Sequence, residues 1–216
     1  MHKFGLIGHP IQHSQSPALF RQAYAGRYEY DLIETPDFDT AWDRFLKEYH
    51  GINITAPFKA LAAERADIMS DEVKAIGAAN IAVHTPDGIK VHNSDYLGLL
   101  GLIQPYEDVA VIGFGGAGKA AVAAAEGAGK RVRLYRHDGL AGGVEADLVI
   151  FTLPKAVEGQ DRIRCRALLE ANYRDPVFSE SSLAPFGTTY IPGMEWLKAQ
   201  AMTGYELLTG EKPMDL

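Results

Sequence analysis

Apolar and polar positions alternate along the chain with two different periods. Phe4 to Gly8 is a short apolar run that reads as a buried strand, and the polar loop His9 to Gln15 follows it. Ser16-Pro17 predicts a helix start, with serine as the cap and proline at the first helical position. Tyr28 to Ile33 alternates as a second strand would. Phe38, Trp42, Phe45, Leu46 and Tyr49 recur at helical spacing, which predicts an amphipathic helix over 38–49. Gly51 to Thr55 is strand-like and runs directly into Ala56-Pro57-Phe58-Lys59. Asn80 to His84 and Ile89 to His92 flank Asp87-Gly88, a hairpin signal.

A second unit begins near Gly101. Asp108 to Ile112 is an apolar strand, Gly113 to Gly118 a glycine-rich turn, Lys119 to Glu126 an alanine-rich helix and Arg131 to Tyr135 the next strand. Together they form a βαβ unit. Asp147 to Phe151 reads as another buried strand, and 162–173 fits helix and strand equally. Thr188 to Ile191 predicts a strand. Gly193 opens a last helix whose apolar stripe is Met194, Leu197, Ala201, Tyr205 and Leu208. Strands alternating with helices imply an α/β fold in two lobes. The expected boundaries are 1–100 plus 191–216 for one lobe and 101–190 for the other.

Composition narrows the class without naming a chemistry. The 216 residues are 47% hydrophobic and 23% charged, which are globular values, and the net charge is −7. That charge opposes nucleic acid and anionic membranes at long range. No apolar run approaches the roughly 18 residues a membrane span needs. The N-terminal segment is too short for a signal peptide. Cys165, the one cysteine, reads as a buried or half-buried thiol, so a reducing cytoplasm is expected. His9 and His13 are four apart, but Pro10 lies between them, so they are loop residues and no metal is expected. Asp37, Asp39 and Asp43 read as helix-start capping and solvation.

Chemistry enters with the glycine turn. Gly113-Phe114-Gly115-Gly116-Ala117-Gly118 follows a strand and opens a helix, the setting a dinucleotide fingerprint requires. At the end of the second strand an NAD site would place a carboxylate for the ribose 2′-hydroxyl; here Tyr135-Arg136-His137 stands instead. A guanidinium forks a 2′-phosphate that a carboxylate would repel, so NADP(H) is favoured. The N-terminal half adds Gly8 to Pro17, Asn53 to Lys59, Gly77 to Asn80 and Asn93 to Gly98, each at a strand end or loop. These segments are rich in hydroxyls and amides, with few charges. Such a lining suits a polyhydroxylated ring bearing one carboxylate.

In these motifs the sequence resembles the shikimate dehydrogenase family across nearly its whole length. Ser14-x-Ser16-Pro17, Asn53-x-Thr55-x-Pro57-x-Lys59, Gly77-Ala78-x-Asn80 and Asn93-x-Asp95 stand in family order, and Gly193 to Gln200 is similar to the family's last-helix motif. The resemblance implies reversible, NADPH-dependent reduction of 3-dehydroshikimate to shikimate, in the route to chorismate and the aromatic amino acids. It assigns the substrate carboxylate to Ser14 and Ser16. Ring hydroxyls fall to Thr55, Asn80 and Gln200, with Tyr173 beside them, and the catalytic pair is Lys59 and Asp95. The cofactor would meet Gly113, Gly115, Gly116, Ala117, Gly118, Arg136, Thr152 and Gly193. Lys59 would either transfer the hydroxyl proton or hold the hydroxyl and stabilise developing charge. A cleft between the lobes and a monomer or homodimer are expected.

The sequence also departs from the family. Only Asp138 to Ala146 separates the second strand of the cofactor lobe from the next, so the Rossmann-like lobe is expected to lack one edge helix–strand unit. In a sheet of order 3-2-1-4-5-6 that third strand is an edge, and its loss leaves the middle intact. Two alternatives stand beside the main reading. One is a quinate/shikimate dehydrogenase using NAD or NADP, and the other is a noncatalytic ligand-sensing homologue.

Overall fold

Within residues 2–215, which the computed structural model describes, there are eleven strands, eight α-helices and two short 3-10 helices. By its internal contacts the chain divides into two units, Met1–Ser94 with Ala201–Leu216, and Asp95–Gln200.

The first unit runs β1 (Lys3–Gly8), α1 (Ser16–Ala23), β2 (Glu29–Glu34), α2 (Phe38–Glu48), β3 (Gly51–Ile54), α3 (Lys59–Arg65), β4 (Ile68–Met69), α4 (Asp71–Ile76), β5 (Ile81–Thr85) and β6 (Gly88–His92). Its six-stranded sheet has the order β2-β1-β3-β5-β6-β4. β1 lies parallel to β2 and β3, and β5 runs antiparallel to both β3 and β6. Both faces are buried. Trp42, Phe45, Ile52, Ile54, Phe58, Ala62 and Val73 fill the side covered by α2, α3 and α4. An aromatic group of Phe4, Phe20, Tyr24 and Tyr205 fills the other.

The second unit contains α5 (Ser94–Ile103) from Asp95 on, then β7 (Asp108–Ile112), α6 (Gly116–Gly127), β8 (Arg131–Tyr135), β9 (Val144–Phe151), β10 (Ile163–Glu170), α7 (Glu180–Leu183), β11 (Thr189–Ile191) and α8 (Gly193–Thr209) as far as Gln200. The sheet order is β11-β10-β9-β7-β8, with every pair parallel. This is the doubly wound order without its third strand, so β8 is an edge, as the short link from Asp138 implies. α5, α6 and Trp196 of α8 bury one face through Leu99, Ile103, Ala121, Ala124 and Ala125. Leu140, Phe178 and Leu183, from connecting segments and the one-turn α7, cover the other.

Several local expectations need correction. Gln15 is the cap of α1 and makes no side-chain cap bond; Ser16 is already helical. Thr85 pairs with Gly88, so the hairpin turn is Pro86-Asp87 and Gly88 opens β6 with φ 118°. In α2 Leu46 is 41% exposed, and in α8 Met194 is 40% exposed while Trp196 takes the buried place. The ambiguous stretch 162–173 is largely strand. The first half of β10 alternates in burial and the second is buried throughout, a mixture that matches neither period alone. Asp37 does cap α2, accepting from the amides of Asp39 and Thr40.

Candidate active site

Within the first unit, β1, β3 and β6 end at the same edge of the sheet where antiparallel β5 begins. The four polar motifs of the N-terminal half therefore leave the sheet side by side. Main-chain hydrogen bonds knit them together. His9 N–H donates to Ala56 O at 3.1 Å, Thr55 to Ile7 at 2.9 Å, Ala79 to Lys59 at 2.8 Å and Asn80 to His92 at 3.0 Å. Gly8 permits this approach, since a Cβ there would stand 2.4 Å from Thr55 Cγ2.

On this edge Ser14 Oγ donates to Ser16 Oγ at 3.0 Å and accepts from Ser16 N–H at 3.2 Å, so the pair forms one hydroxyl cluster. Thr55, half-buried, leaves β3, and Lys59, also half-buried, is the first residue of α3. Asn80 is buried; its Nδ2 donates to Ser94 Oγ at 3.1 Å and its Oδ1 accepts from Ser94 N–H at 2.7 Å. Asp95 follows Ser94 in the first turn of α5, and within the second unit its main-chain oxygen accepts from Trp196 Nε1 at 2.9 Å.

Two residues that support this edge, Tyr30 and Glu72, have no signal in the sequence. Tyr30 on β2 reaches past β1 and donates to Asn53 Oδ1 at 2.8 Å, and burial pushes its phenol well above the usual range. Glu72 on α4 accepts from His92 Nδ1 at 3.1 Å and from Asn93 N–H at 3.4 Å. Burial alone would raise the Glu72 carboxyl, but its donors, His92 foremost, overcome this and hold it at about 2. Asn93 Nδ2 donates to Ala78 O at 2.9 Å. None of these pairings shows in a hydrophobic period, because each joins residues far apart in sequence.

In the second unit the glycine turn leaves β7 at the point where strand order reverses, the usual ligand position of an open α/β sheet. Gly113 has φ 101°, and a Cβ on it would stand 2.5 Å from Thr152 Oγ1, which itself donates to Ile112 O at 2.9 Å. A Cβ on Gly118 would stand 2.2 Å from Gly113 O, so α6 is packed onto the turn. At Gly115 and Gly116 a Cβ would meet nothing within 4 Å. The three conditions match a tight turn, an open main chain and close helix packing, which are what a pyrophosphate at this helix start requires. Gly115 caps α6, and no acidic residue stands in its first turn. These residues fit a dinucleotide.

The remaining predicted residues sit as follows. Thr152 and Tyr173 lie just beyond β9 and β10, and Tyr173 is 40% exposed. Gly193 is buried, and a Cβ there would stand 2.5 Å from Glu170 O. Glu170, fully buried, accepts from Val177 N–H at 2.5 Å, Phe178 N–H at 3.0 Å and Tyr190 Oη–H at 3.1 Å, fixing the far end of the segment that carries Tyr173. Tyr190 is pushed up to about 12 by burial and by this carboxylate. Gln200 is half-buried on α8, its main chain so close to α5 that a Cβ on Gly98 would stand 2.6 Å from Gln200 N. Arg136 is exposed just beyond β8, its carbonyl accepting from Gly139 N–H at 3.0 Å. Burial raises the Cys165 thiol to about 11. Among the described residues no His, Cys, Asp and Glu group could hold a metal ion.

Residues 6–82 match the family model for the shikimate dehydrogenase substrate binding domain. The shikimate dehydrogenase (NADP(+)) of Ignicoccus hospitalis is 36% identical over 134 residues, 56% of this chain and 50% of that protein. The chain thus spans about half the length of this curated relative. The shikimate dehydrogenase (NADP(+)) of Dinoroseobacter shibae is 28% identical over 258 positions, covering 97% of this chain and 92% of that one. Those 258 aligned positions exceed the 216 residues here, so that relative carries stretches this chain lacks. In fold, the shikimate 5-dehydrogenase of Thermus thermophilus, solved with NADP(H) and shikimate, superposes with a TM-score of 0.85 at 24% identity, over 100% of this chain and 96% of that one.

Proposed function

We propose that this chain belongs to the shikimate dehydrogenase family, a reading supported by the match over residues 6–82, and that it reduces 3-dehydroshikimate to shikimate with NADPH and runs the reaction in reverse with NADP. The observation that carries the reading is the string of bonds along one sheet edge. Lys59 O holds Ala79 N–H, and Asn80 Oδ1 holds Ser94 N–H, one residue before Asp95.

In this reading the Ser14 and Ser16 hydroxyls receive the substrate carboxylate. Asn80 commits one amide hydrogen and one lone pair to Ser94, which leaves one of each for a ring hydroxyl. Thr55, Tyr173 and Gln200 complete the hydroxyl contacts. The glycine turn with Arg136, Thr152 and Gly193 would hold NADPH, which when bound would supply the hydride. Lys59 hands a proton to the carbonyl oxygen as the ketone is reduced and takes it back in the other direction. Asp95 is the other member of the proposed catalytic pair. The first unit is then the acid-binding domain and the second the cofactor domain.

The enzyme would work in the cytoplasm, as a monomer or homodimer. The single cysteine, Cys165, has no second cysteine in this sequence to pair with, and among the described residues no helix is long and apolar enough to cross a membrane. The test is absorbance of NADPH with purified protein, using shikimate and NADP, then quinate and NAD. Shikimate with NADP should be the fastest pair. No turnover of shikimate with either cofactor would end the reading.

A further inference from the structure

The second sheet stops at β8. In a full doubly wound sheet a further helix and strand stand beyond this edge, next to the adenosine half of a bound dinucleotide. Here residues 136–143 pass straight from β8 to β9, and no helix lies between them. The same chain carries a large aromatic inside the glycine turn. Phe114 is 42% exposed although it follows the buried Gly113, and the Lys119 ammonium lies 5.8 Å from its ring centroid. Lys119 is exposed near the start of α6, where the helix dipole disfavours a cation unless an anion is nearby. The Gly115 and Gly116 main chain next to Phe114 faces open space.

We infer that Phe114 and Lys119 form a platform for the adenosine bisphosphate half of the cofactor, in place of the wall that the missing helix–strand unit would supply. The inference rests on the dinucleotide reading of the glycine turn. Phe114 offers an apolar face to the nucleoside, and Lys119 offers a cation to its phosphates. Aromatic faces accept a base by stacking, and a lysine serves a phosphate as a point charge. Arg136 and His137 lie at the end of the same edge strand, and Asp138 is the only carboxylate in 136–143.

The test is calorimetric titration of the full chain with adenosine 2′,5′-bisphosphate, with NADPH and with nicotinamide mononucleotide. Phe114→Ala should weaken the bisphosphate about tenfold, and Lys119→Gln should weaken it and flatten its salt dependence. Neither variant should change nicotinamide mononucleotide binding by more than about twofold. Unfolding midpoints confirm that both variants fold. Bisphosphate affinities within about twofold of the parent in both variants would overturn the platform while leaving the dehydrogenase reading intact. The expected losses in a parent that never turns over shikimate would support the platform and sink the substrate assignment. A parent that binds neither NADPH nor the bisphosphate overturns both.

Discussion

Asn80 and Ser94 grip each other from both sides, Nδ2 to Oγ at 3.1 Å and Oδ1 to the amide at 2.7 Å, and both residues are buried. The grip fixes the entry to α5 and turns the rest of the Asn80 amide in a set direction. Asn80→Ala leaves a buried N–H and a buried hydroxyl without these partners, at a cost of about 1–3 kcal/mol for an unsatisfied group. Urea unfolding should show that loss. KM for shikimate should rise, and a variant with normal stability and normal KM would remove Asn80 from the site.

Lys59 is expected to matter for the chemical step more than for binding. Lys59→Ala should cut turnover by roughly a hundred- to ten-thousand-fold, the usual range for a positioned proton-transfer group. Shikimate should still bind, as measured by equilibrium titration. A near-normal turnover number would strip Lys59 of its proposed role.

The glycine turn makes a prediction about room. A Cβ at Gly118 would stand 2.2 Å from the Gly113 carbonyl oxygen, whereas one at Gly116 would meet nothing within 4 Å. Gly118→Ala should destabilise the protein by about 1–3 kcal/mol through overpacking and abolish NADPH binding. Gly116→Ala should keep its unfolding midpoint. Equal midpoints for the two variants would contradict the geometry.

Glu72 gives stability a dependence on pH. Its carboxyl is held at about 2 against an ordinary 4.5. A lowered carboxyl stabilises the fold fully above its unfolded value and loses that contribution as pH falls toward the folded one. Allowing for solvent screening, the contribution is about 2 kcal/mol at neutral pH. The stability gap between the parent and Glu72→Gln should therefore be widest above pH 4.5 and close between 4.5 and about 2. A gap that stays constant over that window would show that the ionised carboxylate is not its source.

The sequence exposed the frame more readily than the supports. β7 and β8 match their expected ranges because short buried runs bounded by turn residues have few other readings. α5 went unseen for the opposite reason: Tyr96-Leu97-Gly98-Leu99-Leu100-Gly101-Leu102-Ile103 is apolar nearly all round and has no face to find. Its Gly98 looks like a helix breaker, yet it is what lets α8 approach. β4 has two residues and α4 has six, too short for any period to register. Ser14, Thr55, Lys59 and Asn80 stand out in the sequence because each lies in a short polar motif at a strand end. Glu72, Tyr30 and Glu170 do not, since a buried carboxylate or phenol is recognised only by the distant donors and acceptors it meets.

The second sheet has unlike sides. Helices seal the face beneath Val109, Val111 and Leu148, but the face beneath Ala110, Val149 and Leu168 is roofed by connecting chain pinned at Leu140, Phe178 and Leu183. Irregular covers lift more cheaply than whole helices, because fewer bonds break together. Deuterium should enter this side first while the helical side stays protected. Cys165, partly buried against this roof, would then be alkylated at a pace set by brief local opening and not by global unfolding.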